Sequence, residues 1–440
     1  MNKHAKTVKS RLESIIKDIT ENSHLYVKNP EKDFTRNRKL NFEEMFKILL
    51  SIGGNSLKME LMEYFSYDVE KIATTSAFIQ QREKIKLEAF QELFERFTEQ
   101  FEKPKTHKGY RLLAIDGSSF CISRNSNDEK TYIKNGEDSK GYNLIHLNAL
   151  YDLENRIYVG ALIQNGRESN EKQALIDIVK KSNVEGKVIV IGDRNYESYN
   201  IFENVKEKNW NYVIRLKDIK STGISSSLVL PKTEIFDEEI NLLMTRRQTK
   251  EIKNNRKKYK FLPKNSNFDY LPHGEKGTYP MNFRIVRFPI AEGKYEVLVT
   301  NLAKEEFSIE ELKELYHMRW GIETSFRELK YSIGLINFHA KKVEYINQEV
   351  FAKLTMYNFC EIITTNVVIK QTERKYIYQV NFTIAISVCL RYFKSKVDIP
   401  SIDVEALIQM NILPVRKGRS DPRKVKHKSH VSFTYREHKI

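Results

Sequence analysis

KVIVIGDRNYESYNIFENVKEKNWNYVIRLK, residues 187–217, changes its hydrophobic period twice. KVIVIG is almost uniformly apolar, as a central strand buried on both faces must be. SYNIFENVKEK takes helical spacing, and NYVIRLK returns to a strand. Working back toward the N-terminus, RLLAID (111–116), YNLIHLNALYDL (142–153) and RIYVGALIQN (156–165) are β-rich, with a tight turn at Leu153 to Asn155 between the last two. SNEKQALIDIVKK (169–181) supplies a helix before the quoted stretch.

The order strand, strand, strand, helix, strand, helix, strand is that of a ribonuclease-H-like α/β domain, in which the first and fourth strands lie side by side. Residues 218 to 305 break the pattern with polar loops, the basic run RRQTKEIKNNRKKYK and a hairpin in NFRIVRFPIAEGKYEVLVTNL, and read as an inserted, largely β segment. Helices resume at Ser308, which with Glu311 makes a capping-box pattern opening SIEELKELYHMRWGIETSFRELKYSIG, closed by Gly334. The first hundred residues read as helices. FEEMFKILLSIGG spaces Phe42, Met45, Phe46, Leu49 and Leu50 by three and four, and AFIQQREKIKLEAFQELFERFTEQF reads as one further helix. Gln80, Gln81, Arg82 and Lys84 crowd its first turns, which suits a nucleic-acid groove or, slightly ahead, a solvated face.

At 440 residues the chain is long enough for about three structural units of roughly 150 residues. Lys and Arg number 74 against 58 acidic residues, a formal +16 that favours a polyanionic partner. Residues 411–440 alone carry nine Lys or Arg against Asp421 and Glu437, which reads as a phosphate-docking tail or a solvated extension. Cys121, Cys360 and Cys389 are too few and too scattered for a disulfide framework or a Cys-rich zinc site, so a reducing cytoplasm fits. No apolar run approaches the ~18 residues of a membrane span, and the N-terminus lacks a secretory core. GxxxxGK, GxGxxG and HExxH are all missing, which removes the usual signatures of nucleotide motors, dinucleotide enzymes and one class of zinc protease.

Asp116 ends the run LLAI and Asp193 follows VIVIG, so each carboxylate stands at a strand end, at one edge of the sheet. On neighbouring strands the two would repel unless a cation intervened, and paired oxygen donors suit magnesium or manganese. Taken singly, either is as readily a strand-end residue or a helix cap. Tyr316, Arg319, Glu323 and Lys330, at ~100° per residue, fall at about 0°, 300°, 340° and 320°, and Arg327 at about 20°. One helix face therefore collects an acid, cations and a phenol, an arrangement that intrahelical ion pairs on a surface helix would also produce.

YHMRWGIETSFRELK, read as Tyr-x2-Arg-x3-Glu-x6-Lys, resembles the signature of the IS-four family of bacterial insertion-sequence DDE transposases. Asp116 in AIDGSSF and Asp193 in GDRNYESYN resemble that family's first and second acids, and VTNL (299–302) precedes the helix in familiar fashion. The resemblance runs from about Phe46 to the basic tail. It implies a ribonuclease-H-like core with a β-insertion between the second and third acids. The divisions become a helical DNA-end-binding domain (1–108), the first part of the core (109–217), a β-rich insertion (218–305), the core helix with the third acid (306–340) and a helical C-terminal region with the tail (341–440).

The resemblance also implies that Asp116, Asp193 and Glu323 hold two Mg2+ or Mn2+ ions, cut transposon ends and join 3′-hydroxyls to target DNA. Tyr316, Arg319 and Lys330 would grip phosphates, with Arg327, Arg194 and Tyr196 as further contacts. The implied partners are inverted-repeat ends, target DNA and a second copy of the chain in a synaptic dimer. No membrane is involved, and the implied location is the bacterial cytoplasm, at the nucleoid. Two departures stand out. Asn195 occupies a position where such proteins often carry Gly, and Asn tolerates a left-handed backbone. Trp210 and Trp320 both lie outside the insertion, leaving Tyr270, Tyr279 or Phe283 as aromatics that could receive an expelled base. Competing readings are a DNA-binding repressor or disabled derivative that does not cut, a ribonuclease-H-like nuclease without strand transfer, and, distantly, a membrane-surface protein.

Overall fold

The computed structural model describes residues 2–36, 38–99, 104–136, 140–369, 376–395 and 402–415. Six helices come first: α1 (Lys3–Glu21), α2 (Ser23–Tyr26), α3 (Phe42–Ser51), α4 (Leu57–Tyr64), α5 (Thr75–Arg82) and α6 (Glu88–Glu99). Asn41, Ser56 and Thr74 cap α3, α4 and α5 by accepting from backbone amides three residues on. The single helix expected over 77–101 is two helices. The chain leaves α5 after Arg82 and re-enters helix at Glu88, with an isolated bridge between Val27 and Ile85 in the gap.

The central region alternates β1 (Tyr110–Ile122), β2 (Tyr132–Ile133), β3 (Tyr142–Asp152), β4 (Ile157–Asn165), α7 (Glu171–Lys181), β5 (Lys187–Gly192), α8 (Tyr199–Glu207) and β6 (Asn211–Leu216). β1 pairs antiparallel with β3 and parallel with β5, and β5 is parallel to β6, so the first and fourth strands read from sequence are neighbours. Next come β7 (Phe236–Thr245), α9 (Lys250–Asn254), β8 (Tyr259–Phe261), β9 (Thr278–Ala291) and β10 (Lys294–Thr300). The expected hairpin is β9–β10, but these strands do not stand apart. β10 pairs with β6, and the sheet runs on as β2-β3-β1-β5-β6-β10-β9-β7-β8, with β4 also on β3. The architecture is mixed α/β around one large sheet.

Strand alternation sorts the side chains onto two faces. Leu113, Ile115, Val188, Val190 and Ile214 pack with Leu175, Val179 and Phe202 of α7 and α8. Leu112, Ile189, Ile191 and Val213 pack on the other face with Leu312 and Leu315 of α10 (Ile309–Met318). The capping box at the start of α10 forms, with Ser308 and Glu311 bonding reciprocally. The rest of the expected long helix is segmented. α10 closes at Arg319, α11 (Trp320–Arg327) follows, and Glu328–Ser332 is a π-helical turn before Gly334 at φ 84°.

α12 (Val343–Thr364) is buried from Tyr345 to Thr364 at every position except Asn347. It is followed by β11 (Tyr378–Val380), α13 (Phe382–Lys394), α14 (Val404–Met410) and β12 (Ile412–Pro414). Most of the basic tail, residues 416–440, lies outside the described residues. Among the described residues no helix is long and apolar enough to cross a membrane, and all three cysteines are free thiols.

Arg82 does not reach toward a groove. It is buried against α12, where its guanidinium donates to Gln348 Oε1 (2.9 Å), Glu349 Oε1 (2.7 Å) and the Tyr345 carbonyl. Glu349 also accepts from the amides of His339 (2.9 Å) and Ala340 (3.0 Å). Burial works to raise the Glu349 pKa, but the Arg82 charge and His339 outweigh it and hold it at about 2. Arg82→Met would leave that carboxylate buried and uncompensated, and should cost about 3–5 kcal/mol in urea unfolding. A depressed folded pKa means the Glu349 contribution is complete above the unfolded value of 4.5 and is lost as pH falls toward 2. The wild-type stability curve should therefore drop by roughly 3 kcal/mol from this group across that window, and the drop should be smaller in Arg82→Met.

Candidate active site

Three elements deliver the three acids to one face of the sheet. Asp116 sits within β1, on the same side as Leu112 and Ala114. In the parallel β1–β5 ladder Ile115 is the partner of Gly192, so Asp116 and Asp193 stand one residue past the last registered pair. Asp193 shares the parity of Ile189 and Ile191, which pack against α10. Glu323 lies in the first turn of α11, which packs on β1 through Ile322 and Phe326 alongside Ala114 and Phe120.

The local bonding differs among the acids. Asp116 accepts from the amide of Gly117 (2.9 Å). Asp193 caps the 3-10 turn Arg194–Tyr196, its Oδ1 accepting from the Asn195 amide at 2.8 Å. Glu323 Oε1 accepts from Arg319 (2.8 Å). Burial pushes the Asp116 carboxyl up to about 6; the Gly117 amide and Arg319 oppose this, while the charges of Asp193 and Glu323 add to it. Arg319 is itself buried, which works against its charge, but Tyr316, Glu323 and Asp116 raise its pKa overall. Its guanidinium lies 5.9 Å from the Tyr316 ring and 5.4 Å from the Trp320 ring, and its Nε is buried without a hydrogen-bond partner.

The expected contact residues separate into two groups. Arg194 and Arg327 are exposed beside the second and third acids. Lys330, in the π-helical turn, places Nζ 4.8 Å above the ring of Phe120, on the acid face of β1. Tyr316 is 6 % exposed and packs beside Arg319 near the Arg215–Glu296 ion pair (3.0 Å). Tyr196 is fully buried and its hydroxyl has no partner, so its side chain belongs to the α7–α8 core rather than to a surface that phosphate can reach. Asn195 is not in the left-handed region. It is the middle residue of the 3-10 turn, and its side-chain amide reaches Glu171. Phe283 and Tyr279 face α8, away from the acids, as does Tyr270 packed against them. Trp320, beside Arg319, is exposed at 52 %.

The donor set is all hard carboxylate oxygen, right for magnesium or manganese and wrong for a soft metal. Like charges pressing on a half-buried Asp116 are what a divalent cation would relieve. Among the described residues no three His, Cys, Asp or Glu side chains converge closely enough to hold an ion. Glu323 is held by Arg319 and would have to exchange that partner for a cation.

Residues 107–359 match the family model described as Transposase DDE domain, which spans more than half of the chain. The chain belongs to this family. Among solved structures, the cryo-EM structure of the piggyBac transposase synaptic complex with hairpin DNA is similar, with 11 % identity, a TM-score of 0.44, and 94 % of this chain and 85 % of that chain covered. No curated protein matches. The match to this transposase family opens just before β1 and closes within α12, so it takes in all three acids.

Two residues beside the acids had no signal in the sequence. His146 on β3 and Glu171 at the start of α7 meet at 2.9 Å against the backbone of Gly117. A Cβ on Gly117 would fall under 3.0 Å from both side chains. Gly117→Ala should therefore displace them, lowering stability by about 1–3 kcal/mol in thermal unfolding, and should reduce any activity that depends on Asp116 by more than the loss of folded protein explains.

Proposed function

We propose that this transposase is a cut-and-paste enzyme of the IS-four type, with a ribonuclease-H-like core that cleaves inverted-repeat ends and joins them to target DNA. The observation that carries the reading is electrostatic: Asp116, in β1, feels the charges of Asp193 and Glu323, from two other elements, on one face of the sheet. The strand order β3-β1-β5-β6, with only β3 antiparallel, supports the ribonuclease-H-like assignment. Family membership and the +16 charge support DNA as the partner.

In this reading Asp116, Asp193 and Glu323 hold two Mg2+ or Mn2+ ions. Such ions supply charge neutralisation at the scissile phosphate and a lowered pKa for the attacking water or 3′-hydroxyl. The chain's own side chains do the rest. Arg319, kept charged, serves the phosphate when Glu323 turns to the ions, with the fork geometry that suits bidentate contact. Lys330 and the exposed Arg194 and Arg327 provide point charges along the flanking backbone, and Tyr316 packs behind Arg319 and fixes its direction. Tyr196 has no part in DNA contact here. Two copies acting on two ends, at the nucleoid of a bacterial cytoplasm, complete the proposal.

Glu323→Gln separates binding from chemistry. Gln keeps the helix propensity and nearly the shape of Glu but loses the charge that a hard ion needs. End-containing DNA should bind as well as or better than to wild type, while magnesium-dependent nicking falls by several orders of magnitude. Calcium in place of magnesium should permit binding without cutting. Nicking by Glu323→Gln at near the wild-type rate would falsify the third-acid assignment.

A further inference from the structure

Behind the acids, on the opposite face of the sheet, lies a polar cluster that the proposed chemistry does not use. Gly117, Ser119 and His146 point to the α7 side, because the β1–β3 ladder pairs Ser119 with His146 and alternation turns odd positions of β1 away from Asp116. His146 Nδ1 is bonded to Ser119 Oγ at 3.0 Å, and its Nε2 stands 2.9 Å from Glu171 Oε1. With no side chain at Gly117, both groups close onto its backbone, directly after the first acid. The other oxygen of Glu171 takes the side-chain amide of Asn195. Asn195 is also the residue whose backbone amide is bonded to Asp193.

Glu171 is thus a bridge with one end on His146 of β3, which is bonded in turn to Ser119 of the first acid's strand, and the other on the second acid's turn. It is a fixed bridge. Asn170 caps α7, its amide donates to Gln164 Oε1 at 3.0 Å, and Asn148 donates to that same Gln164 oxygen at 3.1 Å. An acid in the first turn of a helix ordinarily answers the helix dipole, and that role would need neither His146 nor Asn195.

We propose that Glu171 is a positioning residue that, through His146 and Asn195, sets the spacing of the Asp116 and Asp193 carboxylates from the far face of the sheet. The proposal rests on the reading of those two acids as ion-holding groups. Glu171 itself takes no ion, since the sheet stands between it and the acid face. Residues that orient metal-holding groups from behind characteristically change ion affinity 10- to 100-fold when removed.

The test uses full-length Glu171→Ala, Asn195→Ala, the double variant, Glu171→Gln and Asp193→Asn. Manganese binding to the DNA-free protein is followed by titration calorimetry, beside melting temperature and the magnesium dependence of end nicking. Glu171→Ala should bind manganese about 10-fold more weakly and nick slowly at low magnesium, with recovery as magnesium is raised. Asn195→Ala, which alters an exposed side chain and carries the test should Glu171→Ala not fold, should lose a similar factor. The double variant should be no worse than the weaker single, because both act through one contact. Glu171→Gln, which keeps one acceptor oxygen in place of the two that face His146 and Asn195, should fall between wild type and Glu171→Ala. Wild-type manganese binding in Glu171→Ala, or multiplying losses in the double variant, overturns the positioning role. Asp193→Asn tells the two failures apart. Undiminished manganese binding there removes the reading of the acids themselves, whereas lost binding there with none lost in Glu171→Ala removes only the positioning.

Discussion

Parallel pairing of β1 with β5 is the constraint on which the site depends. The pair is central, apolar on both faces, and in a register that leaves Asp116 and Asp193 side by side where the ladder ends. Burying a carboxylate is unfavourable, and burial is the main cause of the raised pKa of Asp116, with the charges of Asp193 and Glu323 adding to it. The surrounding elements answer it. α11 brings Arg319 and Glu323 onto the acid face, the Gly117 and Asn195 amides bond to the two Asp side chains, and Glu171 meets Asn195 and His146 from behind.

Much of this was legible because it follows from local rules. The switch from helical to alternating periodicity near Tyr110 marked the start of the sheet, and KVIVIG could only be a doubly covered strand. The strand order put Asp116 and Asp193 on neighbouring strands, and the Ser308–Glu311 box marked the start of the helical stretch that carries Glu323. What sequence missed is non-local. Arg82 reads as a surface cation because its partners, Gln348 and Glu349, are more than 260 residues away. Tyr196 is two residues from Arg194 in sequence, yet the 3-10 turn points one outward and the other into the core. His146 and Glu171 carry no pattern that a single sequence exposes, since an acid in a first helical turn is commonplace. The strands after residue 218 read as a separate unit because nothing local says that β10 will pair with β6.

The helix bearing the third acid shows a subtler limit. Assuming 100° per residue put Tyr316, Arg319, Glu323 and Lys330 on one stripe. The structure keeps the first three together, but by closing α10 at Arg319 and restarting as α11. Lys330 reaches the acid face through a π-helical turn, where each residue advances less than in an α-helix, and Phe120 of β1 receives its ammonium group. The ideal-helix account of that stripe therefore holds for the first three residues and fails at Lys330.

α12 behaves as a tie-rod. Asn358 takes both backbone groups of Tyr158 in β4, at 2.8 Å each, and Tyr158 in turn meets Ser325 of α11 through its hydroxyl at 2.9 Å. Nearly three turns earlier, Gln348 and Glu349 grip Arg82 of α5. One buried helix therefore holds the N-terminal helices, the sheet edge and the helix of Glu323 in a single frame. Any shift of α5 relative to the sheet must break contacts of α12, so the N-terminal helices and the helix of Glu323 keep their relation through one buried element.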